Sequence, residues 1–379
     1  SGREPDALDE RSGADPSGRG VEVEPRTEQP AARDGPHVAI PAAIWVRGPA
    51  RPLQRGATGP PAQLVGGAGS LSAEPLPNLV IAGVGKAGTT SLFWYLSQHP
   101  DICASKAKEI QYFTSLTEGN GSLAPIEEYA KHFRGCGAER YRLEASPQYF
   151  HGGRVVIDAM REVLGSPRVM VMFRDPVERL WSTYRFMRSR MADLPQDMTF
   201  ERYIEACRQV RERREPLTQE NRLYWTIQGG AYAEYLGEWV EAFGLDLRVI
   251  FFEHLVAVPE RAVRDLCRWL GIDEDAASAI TYSVENRTVG YRSRALQKAA
   301  LFLNREGLLG SRRRLKEPLR RFYYTLNRSH EEERMSAQSR EELDGLFGPS
   351  NARLTEQLQR LGYRDLPEWL RGDVSEHAV

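Results

Sequence analysis

The apolar positions along this 379-residue chain follow two rhythms. Short continuous runs recur: LVIAG at 79–83, RYRLE at 140–144, RVMVMF at 168–173 and LRVIFF at 247–252. Runs of this length, rich in β-branched residues, read as strands buried on both faces. Between them lie stretches with apolar residues at helical spacing, near 89–98, 125–133, 154–164, 176–190, 200–214, 231–243 and 258–270. The stretch FERYIEACRQVRERR at 200–214 places its charges on one outer face. Strand and helix alternate, which predicts an α/β domain with a central parallel sheet flanked by helices on both sides. Ligands of such sheets bind beyond the carboxyl ends of the strands.

The first 75 residues break this pattern. They are rich in Gly, Pro, Ala, Arg and acidic residues, and hold Trp45 but no Phe, Tyr, Lys or Cys. Such a segment buries too little apolar surface to offset its ordering entropy, so residues 1–75 are expected to be disordered. A short ordered piece at Val38–Val46 is compatible with this, being too short to span a bilayer and interrupted by Pro41. The folded domain is expected at 76–375, helical from about 295. Fifty-one basic and 52 acidic residues give a net charge of −1, so no nucleic-acid partner is expected. The four cysteines, Cys103, Cys136, Cys207 and Cys267, form no CxxC. They indicate neither a zinc site nor a dense disulfide scaffold, and suit a reducing compartment, with a single disulfide left open. A cytoplasmic location without a transmembrane segment follows as the expectation. The chain begins at Ser1 rather than Met, so an anchored Golgi-lumen form stays open.

Candidate chemistry concentrates after two of the strands. Residues Leu79–Ser91 read LVIAGVGKAGTTS: a strand, a glycine-rich turn, then a helix start with three hydroxyls. Backbone N–H groups and the positive end of a helix dipole converge there, as an anionic phosphate requires. Gly83 and Gly88 have the spacing of a nucleotide-hydrolysing P-loop, but Thr89 takes the lysine slot and Lys86 lies inside the loop. The second strand ends at Arg174 and opens RDPVERLWSTY, in which Asp175-Pro176 starts a helix and Ser182 follows two turns on. A guanidinium there can fork onto a phosphate, and it can equally pair with Asp175 or Glu178.

Together the two motifs resemble the carbohydrate and glycosaminoglycan-type sulfotransferases that use 3′-phosphoadenosine 5′-phosphosulfate (PAPS). The resemblance runs over about residues 76–372 and implies a P-loop-like three-layer fold. It implies that Lys86, Ala87, Gly88, Thr89, Thr90 and Ser91 hold the 5′-phosphosulfate, and that Arg174 and Ser182 hold the 3′-phosphate. The basic loop NRTVGYRSR at 286–294 is similar to one that closes over that phosphate, with Arg292 its foremost candidate and Arg294 next. KEIQYF at 108–113 resembles a segment whose glutamate is the base, which implies Glu109 here. EASPQYF at 144–150 is also similar, with Ala145 where some members carry a lysine. Further matches are GAYAEYL, VIFFEHL and LGYRDLPEWL at 230–236, 249–255 and 361–370, with His254 replacing the usual acid.

The implied reaction is in-line sulfuryl transfer from PAPS to a hydroxyl or amine, releasing 3′,5′-ADP. Lys86 and Glu109 are the catalytic pair, and no metal is required. The expected acceptor is a carbohydrate or glycolipid; a phenolic or secondary-metabolite hydroxyl is the alternative. His254 is the foremost rival base, ahead of His99, His132 and His151. A P-loop kinase or NTPase would need lysine at 89. A non-catalytic nucleotide-binding protein would not need Lys86, Arg174 and Ser182 together. The residues do not reveal oligomeric state.

Overall fold

The computed structural model describes residues 74–117, 121–188, 193–195, 197–218, 220–283 and 334–371. Val38–Val46 and the whole basic loop at 286–294, with Arg292 and Arg294, lie outside the described residues. Five strands form one sheet: β1 (Leu79–Gly83), β2 (Ile102–Ala104), β3 (Tyr141–Ala145), β4 (Arg168–Phe173) and β5 (Leu247–Phe251). Their order is β2-β3-β1-β4-β5, and every pairing is parallel. Leu79 is flanked by Leu143 on β3 and Arg168 on β4. All five residues of β1 are buried, as a central strand covered on both faces requires.

Ten helices complete the described residues: α1 (Thr89–Leu96), α2 (Thr114–Thr117), α3 (Ile126–Ala130), α4 (Gly153–Leu164), α5 (Pro176–Phe186), α6 (Phe200–Glu212), α7 (Ala233–Phe243), α8 (Phe252–Ala257), α9 (Pro259–Leu270) and α10 (Ala337–Arg360), besides short 3-10 turns. The elements expected from periodicity form within a few residues of their expected limits. Short β2 and α8 are additions that three- and six-residue segments cannot announce by period. None of the described helices is long and apolar enough to cross a membrane.

The main core packs α1, α4, α7 and α9 on the sheet, with Trp239 donating its indole N–H to the Phe150 carbonyl (3.0 Å). A second core joins α5 and α6 to α10 through Tyr184, Tyr203, Leu343 and Phe347. Cys207 and Cys267 are buried thiols, whereas Cys103 and Cys136 are joined in a disulfide. The disulfide realises the arrangement left open beside four thiols, and ties β2 to the turn after α3.

Candidate active site

The topology decides what meets what. The chain leaves β1 for β2 and β3 on one side, then crosses to β4 and β5 on the other. The loops that follow β1, β4 and β5 therefore open side by side at one end of the sheet. Residues 84–88 form the turn from β1 into α1. Gly88 caps that helix at φ 89°, and a Cβ there would lie 2.8 Å from Phe252 Cδ2, so both conformation and space demand glycine. The first-turn amides of Thr89, Thr90 and Ser91 have no carbonyl four residues back within α1.

Asp175 caps α5 by accepting the Val177 N–H (2.9 Å), with Pro176 in the first turn as the sequence led one to expect. This cap aims Arg174 toward the β1 loop, where one Nη1–H donates to the Lys86 carbonyl (3.3 Å). The guanidinium also sits 4.5 Å from the Phe252 ring centroid on α8. Lys86 takes a left-handed φ of 67°, and its Nζ lies 4.2 Å from the Phe186 ring centroid. The two sequence motifs, 88 residues apart, thus touch directly. Burial pushes the Arg174 guanidinium below its usual value, against the pull of Glu178 and Glu253.

The competing possibility for Arg174, an ion pair with its own neighbours, is largely taken by another residue. Arg340 of α10 donates to Asp175 Oδ2 (2.7 Å) and Glu178 Oε1 (2.9 Å), leaving Arg174 a longer 3.7 Å contact with Glu178 Oε2. Sequence reasoning missed Arg340, because nothing local signals a pairing across 165 positions. It also missed Arg179. This buried guanidinium donates to the Thr226 carbonyl (2.9 Å) and reaches the Gly85 carbonyl at 3.5 Å, backing the β1 loop from within. Ser182 is half-buried on α5, two turns after Arg174.

Glu109 enters from the other side. Its backbone N–H donates to the Ala145 carbonyl at the end of β3 (2.9 Å), and Ser146 N–H donates to the Ile81 carbonyl of β1 (3.1 Å). The Glu109 segment therefore lies at the same sheet end as the β1 loop. Its side chain is 41% exposed and pairs with Lys108 at 2.7 Å, so it is reachable from solvent. Of the four described non-glycine residues at positive φ, Lys86, Glu109 and Gln111 all lie at this end. Such conformations cost about 1–3 kcal/mol each and cluster at functional sites.

Three of the rival histidines do not join this group. His254 lines a groove of about 320 Å³ with Arg248, Arg261 and Tyr363 along β5 and α9, a groove that includes none of Lys86, Glu109 and Arg174. His99 is buried, with Nδ1 accepting the Asp101 N–H (3.1 Å) and Nε2 bonded to the Asp273 carbonyl (2.8 Å). His151 packs between Trp225 and Tyr235, and burial, with Arg179 nearby, lowers it to about 3.

A family model for the sulfotransferase domain matches residues 76–295, spanning both motifs and the segment that carries Glu109. The chain belongs to the PAPS-dependent sulfotransferase family. Among curated proteins, this sulfotransferase domain is similar to the bifunctional heparan sulfate N-deacetylase/N-sulfotransferase of Drosophila melanogaster, with 24% identity over 80% of this chain and 28% of that protein. It is 40% identical to the membrane-associated sulfotransferase kil1 of Dictyostelium discoideum over 29% of this chain and 23% of the other. The chain spans about a quarter of the length of these two relatives. A sulfotransferase crystal structure from Alicyclobacillus acidocaldarius shares the fold, with a TM-score of 0.56 and 24% identity over 78% of this chain and all of that one.

Proposed function

We propose that this domain transfers the sulfuryl group of PAPS to a hydroxyl or amine of a carbohydrate, most suitably a glycosaminoglycan. The observation that carries the reading is the bond between Arg174 and the Lys86 carbonyl, which sets two cationic side chains and a helix N-terminus at one sheet end. Two anionic groups on one nucleotide require two such positions. When bound, PAPS supplies the activated sulfuryl group and a 3′,5′-ADP leaving group. The amides of Ala87 to Ser91 and the hydroxyls of Thr89, Thr90 and Ser91 hold the 5′ end. Lys86 answers the charge that develops on the leaving oxygen. Arg174 and Ser182 hold the 3′-phosphate, joined by Arg292. Glu109, solvent-reachable and next to the β1 loop, takes the acceptor's proton.

Similarity to a heparan sulfate enzyme supports the glycosaminoglycan class. The Cys103–Cys136 disulfide weighs toward an oxidising compartment, in place of the cytoplasmic one expected from cysteine count. A domain spanning 76–375, preceded by a separate 75-residue segment, remains the proposed organisation.

The test is calorimetric titration of 3′,5′-ADP and of ATP with Mg²⁺, on wild type and Arg174→Ala. Charge-assisted hydrogen bonds contribute about 1.5–3 kcal/mol, so the variant should bind 3′,5′-ADP about 10- to 150-fold more weakly. Preference for ATP with Mg²⁺ would replace this reading with a P-loop kinase or hydrolase.

A further inference from the structure

Glu144 is fully buried in β3, beside Val80 of β1, and has no cationic partner among the described residues. Its carboxylate instead gathers three hydroxyls. Ser146 donates to Oε1 (2.6 Å), Tyr149 donates to Oε1 (2.8 Å), and Tyr129 donates to Oε2. An ionised carboxylate only accepts, so each hydroxyl spends its single proton inward and presents its lone pairs outward. Two of them use those lone pairs on the same short segment. Ser146 Oγ accepts the Gln111 N–H (2.9 Å), and Tyr149 Oη accepts the Phe113 N–H (3.4 Å). The third contact is by stacking: the Tyr129 ring lies flat on Tyr112, with centroids 4.2 Å apart. Residues 111, 112 and 113 are thus each held through one carboxylate. Glu109 stands two positions before Gln111, at φ 65°, with Gln111 itself at φ 58°.

We propose that Glu144 is a positioning residue: through Ser146, Tyr149 and Tyr129 it holds the 109–113 segment in its left-handed turns and so presents the Glu109 carboxylate to the acceptor. This rests on the reading of Glu109 as the base. Two backbone turns at positive φ oppose the intended placement, and local sequence supplies no glycine to relieve them. The hub supplies the opposing restraint from the rigid centre of the sheet. A glutamine at 144 would replace one accepting oxygen with an NH₂ donor, so a hydroxyl facing that side would have to turn its own proton away from position 144.

The experiment uses the full chain with Ser146→Ala and Glu144→Gln. The first measurement is amide hydrogen exchange. Exchange at 109–113 should accelerate about tenfold in Ser146→Ala, from loss of one hydrogen bond, and at least as much in Glu144→Gln, with β1 and β4 unchanged. Unchanged exchange at 109–113 overturns the proposal. The second is transfer from radiolabelled PAPS to de-N-sulfated heparan sulfate, in wild-type and Glu109→Gln backgrounds. Ser146→Ala should lower kcat about 10- to 100-fold with KM for PAPS unaltered. In the Glu109→Gln background the same change should cost less than about twofold, since the group it positions is gone. Equal losses in both backgrounds overturn the positioning role. Wild-type turnover by Glu109→Gln would instead overturn the base reading, an outcome distinct from failure of the hub.

Discussion

Gly88→Ala tests whether the β1 loop and the Arg174 site form one unit. Gly88 sits at φ 89° and ψ 9°, where an L-residue is strained by about 1–2 kcal/mol. Its new Cβ would meet Phe252 Cδ2 at 2.8 Å, Phe252 Cε2 at 3.2 Å and Met172 Cε at 3.3 Å. Displacing packed neighbours costs about 1–3 kcal/mol more. The sum, about 2–5 kcal/mol, lowers the melting temperature by about 4–10 °C at roughly 2 °C per kcal/mol for a domain of this size. Phe252 is also the ring beneath Arg174, so its shift should weaken 3′,5′-ADP binding about 2- to 30-fold, the worth of a cation–π contact. Gly271→Ala is the control. Gly271 is also left-handed, at φ 69°, but its Cβ would meet nothing closer than Arg140 Nη1 at 3.7 Å. It should show the backbone cost without loss of binding. Scanning calorimetry and titration of 3′,5′-ADP below the melting range read both effects. The reasoning is refuted if Gly88→Ala melts no lower than Gly271→Ala and binds 3′,5′-ADP as wild type does.

Lys86→Ala should reduce sulfuryl transfer by about 10²–10³-fold while 3′,5′-ADP binding is only weakened; single-turnover transfer and titration calorimetry separate the two. Cys136→Ser opens a disulfide that closes a separation of 33 residues, which chain entropy values at about 3–4 kcal/mol, so denaturant midpoints should fall and wild type plus reductant should match the variant. Burial holds His151 at about 3 in the folded protein against 6.5 as the ordinary value. The unfolded chain therefore binds the extra proton between those limits, and stability present above about pH 6.5 is lost as pH falls toward 3, at up to about 1.4 kcal/mol per unit. His151→Gln, which can still donate to the Gly229 carbonyl, should flatten that slope in denaturant titrations across pH 7 to 4.

Periodicity alone specified the strands at 79–83 and 168–173 and the helices that follow them, because continuous burial and helical amphipathicity are written in consecutive residues. The glycine spacing and Lys86 likewise marked a candidate anion site, since a loop's conformational demands are local. Arg174 was legible as a candidate, but its availability was not. Only the tertiary structure brings Arg340 onto Asp175 and Glu178, drawing away the acids that sequence places beside Arg174.

The same holds for the proposed base and its rivals. His254 and Glu109 are both plausible in one dimension; in the structure the Glu109 backbone bonds to the end of β3 beside the β1 loop, while His254 lines a groove with Arg248, Arg261 and Tyr363. Arg179 and Glu144 read in sequence as ordinary charges, yet both are buried, each bonded to groups that no local pattern associates with it. The sequence by itself determined which segments become strands, helices and glycine-rich turns, because those depend on near neighbours. The tertiary structure decided which charges are paired, buried or left facing a ligand, because that depends on residues up to 165 positions away, brought together by a shared core.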